Sequence, residues 1–84
     1  MKKFIYSDYI KVAKVGDIIV LGGMGIVDGT KYLVKSNTYK VVDVSDEVYL
    51  RQYGKKSCGY ISVSYRSQDC LLLSKKEFNE LSKY

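Results

Sequence analysis

The 84-residue chain reads as a small, mainly β domain of about five strands with a short C-terminal helix. Three observations point there. No helical period of apolar residues runs through the first seventy positions. Short β-branched and aromatic runs recur instead between turn residues, the pattern of a small all-β domain. A helix-start signature then follows at Ser74. One domain, residues 1–84, accounts for the whole length, because a chain this short has surface enough for only one core.

Taken in order, residues 1–8 read as an N-terminal arm, and Tyr9 to Val15 alternates loosely enough to extend it or to add a strand. Val15-Gly16-Asp17 is a turn into Ile18-Ile19-Val20-Leu21, apolar on both sides and so a central strand. Gly22-Gly23-Met24-Gly25 opens a loop that continues through Asp28-Gly29-Thr30, since four glycines within eight residues supply positive-φ freedom that a strand does not need. A brief pairing is expected at Val34-Lys35. Ser36-Asn37 is a turn before the β-branched strand Thr38 to Val44, which Ser45-Asp46-Glu47 closes.

Val48 to Tyr53 and Tyr60 to Tyr65 form a hairpin around the polar segment Gly54 to Gly59. By the period of two, Val48, Leu50, Ile61 and Val63 face the core, while Tyr49, Arg51, Tyr53, Tyr60, Ser62 and Ser64 face outward. Cys70 to Leu73 is a last short strand after the turn Arg66 to Asp69. Ser74-Lys75-Lys76-Glu77 fits a capping box, with Leu73 and Phe78 placed for a hydrophobic staple. It predicts a helix over residues 75–81 that packs Phe78 and Leu81 on the sheet.

Composition bounds the function. Apolar residues at 46% and charged residues at 27% are those of a globular chain. Pro, Trp and His are absent, Tyr occurs nine times, and Lys outnumbers Arg twelve to two. That bias fits AT-rich coding and hence a low-GC bacterium or its phage. The net charge of +5 suits nucleic acid, an acidic protein face or an anionic small ligand, and it equally keeps a Tyr-rich surface in solution. Ser7, Asp8, Lys11 and Lys14 interrupt any signal-peptide core after Met1-Lys2-Lys3. The longest uncharged stretch, Ile18 to Val27, is far short of the roughly 20 residues of a membrane helix. The expectation is a soluble, cytoplasmic protein, in which Cys58 and Cys70 are free thiols.

Val15-Gly16-Asp17 before an apolar strand, the Gly-rich excursion, Asn37-Thr38-Tyr39-Lys40-Val41 into Asp43-Val44, the late hairpin and the Ser-Lys-Lys-Glu-Phe helix together resemble small SH3-like β-barrel proteins. Many of these are carried by phages and mobile elements of low-GC bacteria. The resemblance covers roughly residues 12–81. It implies a barrel of about five strands that acts as a binding module, with a ligand that differs from member to member.

Without histidine, Ser-His-Asp and Cys-His catalysis within one chain are ruled out, and two cysteines do not make a zinc site. No catalytic residue, metal or cofactor is expected. The carboxylates Asp43, Asp46 and Glu47 share a turn and face water rather than one another. Gly22, Gly23, Gly25 and Gly29 with Lys31 form a candidate anion-binding loop, weakened by the lack of a full dinucleotide or P-loop fingerprint. Cys58 beside Lys55 and Lys56 reads as a solvated loop thiol.

The strongest constellation is the outward face of the hairpin, where Tyr49, Arg51, Tyr53 and Tyr60 alternate with core residues below Lys55 and Lys56. Three readings follow. The first is a phage accessory protein that binds a host protein and inhibits or redirects it, through residue types that anchor interfaces. The second is single-stranded nucleic acid stacked on the tyrosines. The third is an oligomer holding an anionic nucleotide in the glycine loop. Tyrosine pairing that only stabilises an exposed sheet is the plain alternative to all three.

Overall fold

The computed structural model describes residues 1–54, 58–60 and 62–82, with Cys58 and Tyr60 described by backbone alone. The fold is mainly β. Among the described residues there are eight strands: β1 (Lys2–Ile5), β2 (Ile18–Leu21), β3 (Gly25–Val27), β4 (Thr30–Tyr32), β5 (Thr38–Val44), β6 (Val48–Gln52), β7 (Cys58–Tyr60) and β8 (Asp69–Leu73). Two helices accompany them, a single turn α1 (Tyr6–Tyr9) and the terminal α2 (Lys75–Leu81). Short 3-10 turns occupy Lys35–Asn37 and Val63–Tyr65.

Six strands pair antiparallel in the order β1-β8-β2-β5-β6-β7, and β3 and β4 form a separate hairpin. The described strands therefore make an open order with β1 and β7 at its edges, one strand more than expected and without a closed ring. Residues 2–5, expected as a free arm, are bonded along β8, which would otherwise leave one side of an apolar strand unpaired. Tyr6 and Tyr9, three residues apart, stand on one side of α1 and are both buried. Tyr9 to Val15, whose loose alternation suggested a strand or an extended arm, instead ends α1 and continues as turns, because spacings of two and three are indistinguishable over so few residues.

Two cores result, one on each face of the sheet. Ile19, Leu21, Val41, Leu50 and Cys70 face Tyr6 and Tyr9 of α1, with Phe4, Ile10 and Ala13 at the margin. On the other face Val20, Leu33 and Leu73 are buried with Ile18, Met24, Leu71, Phe78 and Leu81 packed around them. The strands β2 and β8 are apolar on both sides for this reason. The thiol of Cys70 is free and buried, and burial pushes it up to about 12, so it is an inert core group.

A polar strut crosses the edge of the first core. The Tyr9 hydroxyl donates to Asp17 Oδ2 at 2.8 Å, and the Lys14 amide donates to the same oxygen at 3.0 Å. Burial, then the bond to Asp17, drives the Tyr9 phenol well above its ordinary range.

Three expectations need correction. The glycine excursion is no open loop: Val27-Asp28-Gly29-Thr30 turns with positive φ at Asp28 (49°) and Gly29 (79°), as a two-residue hairpin requires. The second strand of the late hairpin starts at Cys58 instead of Tyr60, and Val63 is 76% exposed in a 3-10 turn rather than in the core. Lys35 lies in a 3-10 turn and does not pair with a strand.

Candidate functional site

The second face of the sheet is only half covered. Helix α2 lies over β2 and β8, held at its start by the predicted capping box: the Glu77 amide donates to Ser74 Oγ at 3.1 Å and the Ser74 amide to Glu77 Oε1 at 2.9 Å. Phe78 and Leu81 fill the core beneath it. Beyond the helix, β5 and β6 continue, and their residues on this face are polar.

The register decides which residues meet there. Lys40 of β5 is opposite Arg51 of β6, and Asp43 is opposite Tyr49. The pairing shifts between Val41 and Asp43, so that Val42 is an extra residue on the bulged strand. Strict alternation would have sent Asp43 to the opposite side from Lys40; the bulge brings it to the side of Tyr49. The backbone of Tyr60 pairs opposite that of Tyr49, and Cys58 opposite Arg51.

The expected hairpin face is thereby divided into two ends. Tyr53, just past β6, packs against Phe78 with the rings tilted by 37° and their centroids 5.0 Å apart, and its amide donates to the Thr38 carbonyl at 2.9 Å. Burial against the helix raises its phenol above the ordinary value. Three clefts meet at this ring. One of about 280 Å³ is lined by Lys40, Arg51, Gln52 and Gly54. A longer groove of about 470 Å³ runs along Lys40, Lys75 and Asn79 to Asp17. An apolar notch of about 220 Å³ lies between Leu33, Thr38, Gly54 and Phe78, with Lys35 on its rim.

Tyr49 belongs to the other end. Its hydroxyl donates to Asp46 Oδ1 at 3.4 Å, and Ser45 Oγ donates to Asp46 at 3.0 Å and to Asp43 at 3.3 Å. The Asp46 carboxylate beside it holds the Tyr49 phenol above its ordinary value, while the Ser45 hydroxyl bond holds the Asp46 carboxyl below its own. One end of the face is therefore basic and aromatic, the other acidic. Tyr49 and Arg51, two residues apart on a strand, separate these ends by only about 7 Å.

Of the residues singled out in the sequence, Arg51 and Tyr53 stand together, and Tyr49 is drawn into the acidic turn. Lys55 and Lys56 lie outside the described residues. Lys40, Lys75 and Phe78 were missed as site residues. Lys40 was accessible in principle, since counting back from the Ser45-Asp46-Glu47 turn sets it near Arg51. Phe78 was read only as a core residue, and it is also the floor under Tyr53.

The candidate anion loop is dispersed. The Gly22 amide is used by the Asp69 carbonyl at 2.9 Å, Gly25 lies under the Tyr32 ring where a Cβ would clash, and Gly29 is at the hairpin tip. Lys31 pairs opposite Ile26 on an exposed strand. Among the described residues no group of three or more metal-ligating side chains occurs, and no helix is long and apolar enough to cross a membrane.

Compared with protein-family models, curated proteins and solved structures, the chain matches none.

Proposed function

We propose that this chain is a non-catalytic binding module that recognises a protein partner through the uncovered face around Tyr53. The observation that carries this reading is the charge division of the face. Lys40, Arg51 and Lys75 gather at the Tyr53 end, while Asp43 and Asp46 gather at the Tyr49 end. A single nucleic-acid strand carries negative charge at every residue, so following the hairpin would bring phosphates against the carboxylates within a Debye length. A protein segment can alternate its charges to suit both ends.

The cations also stand at a cost. Lys40 and Arg51 are directly opposed, an arrangement that destabilises a sheet, and among the described residues neither has an ion-pair partner. Aromatic and guanidinium groups in a concave, partly apolar setting are the residue types that anchor interfaces. The resemblance to small SH3-like barrel proteins and the Lys- and Tyr-rich composition favour a phage accessory protein that binds a host protein and inhibits or redirects it.

The test is capture from a low-GC bacterial lysate, with nuclease and without, by the wild-type chain and by Arg51→Ala/Tyr53→Ala. The expected result is a protein retained after nuclease and lost in the double variant. Recovery of nucleic acid instead, with all protein lost on nuclease treatment, would replace this reading with single-strand binding.

A further inference from the structure

Resting on that reading, the geometry points to a partner segment of definite chemistry: one apolar side chain seated in the notch between Leu33, Tyr53 and Phe78, with acidic residues beside it in the basic groove. The notch, at about 220 Å³, exceeds the roughly 150 Å³ of an apolar cavity that takes a benzene ring, so a Leu or Phe side chain fits. Its polar wall is already satisfied. Thr38 Oγ1 donates to the Val34 carbonyl at 2.9 Å, and the Gln52 side-chain amide donates to the Ser36 carbonyl close by. A nucleobase would bury donors and acceptors against walls that offer it few partners, whereas a hydrocarbon side chain loses nothing there.

Tyr53 is a wall of the notch and also of both basic clefts. A chain crossing this ring leaves its apolar anchor on one side and meets Lys40, Arg51 and Lys75 on the other, with Lys35 at the notch rim. The one carboxylate lining the longer groove, Asp17, is occupied by the Tyr9 hydroxyl and the Lys14 amide. Lys35 at the notch and Lys40, Arg51 and Lys75 across the Tyr53 ring set the complementary sequence: a large apolar residue with Asp or Glu close to it on both sides. Gly54, where an added Cβ would meet nothing within 4 Å among the described residues, brings no side chain of its own to the notch.

The test is selection of displayed random peptides on the full chain, followed by fluorescence anisotropy of the enriched peptides. Enriched sequences are expected to combine one Leu, Ile, Phe or Trp with neighbouring Asp or Glu. Their affinity should fall about tenfold or more in Ser82→Tyr, which fills the notch mouth from an exposed position, and in Lys35→Glu. Failure to enrich such peptides, or affinities unchanged in both variants, would overturn the proposal, as would oligothymidylate binding that responds to Ser82→Tyr in the same way. The two claims fail separately: a captured protein lost with Arg51→Ala/Tyr53→Ala but indifferent to Ser82→Tyr sinks the notch and leaves the binding module.

Discussion

Arg51 and Tyr9 show the two ways in which a polar residue is retained in this chain. Arg51 faces Lys40 across the β5–β6 ladder and, among the described residues, has no ion-pair partner. Replacing it with Thr, a good strand residue, should leave the thermal midpoint unchanged or raise stability by a few tenths of a kcal/mol, about the size of one unfavourable cross-strand pair, while partner binding is lost. A loss of stability in that variant would show that Arg51 serves the sheet instead. Tyr9 is the opposite case, with its ring in the core and its hydroxyl on Asp17. Tyr9→Phe removes a bond to a charged group and should cost about 1–3 kcal/mol in a denaturant titration, with binding intact. The sequence marked Arg51 and Tyr53 because outward residues of a strand can be counted. It did not mark Tyr9, because its partner lies beyond a turn and residue types alone do not disclose a hydrogen bond.

At the scale of elements, the helix α2 was the most legible because its signal is local. The Ser74–Glu77 capping box and the Leu73 and Phe78 pair are fixed by positions a few residues apart, and all are found as expected. Ser74→Ala should cost about 1 kcal/mol. Glu77 also accepts from the Met1 amino group, and that bond, followed by those from Ser74, holds its carboxyl down to about 2 from an ordinary 4.5. Since the folded value is the lower one, this stabilisation is present above pH 4.5 and is lost as pH falls toward about 2. Glu77→Gln should therefore be less stable than wild type at neutral pH, and its thermal midpoint should fall less steeply across that interval. Less legible were features set by pairing between distant segments. The β1–β8 ladder joins the two ends of the chain, and the bulge at Val42 changes the side of Asp43 without any glycine or proline to announce it. The β3–β4 hairpin had its Asp28-Gly29 turn in plain view, yet the surrounding glycines read more strongly as a loop.

For the whole molecule, the informative property is that the same sheet face changes from apolar to polar along its width. Helix α2 covers the apolar part, and the remainder presents Tyr53 among cations at one end and carboxylates at the other. The net charge of +5 gave the sign of the average and hid this division, which exists only once β5 and β6 are paired in register. Charge reversal at the two ends tests it most directly. Partner affinity would be measured for Arg51→Glu and Asp46→Lys against wild type at fixed salt. Recognition of a protein by a divided face predicts that both variants bind more weakly. Weaker binding by Arg51→Glu together with tighter binding by Asp46→Lys is the response of a polyanion ligand, and it would contradict the account.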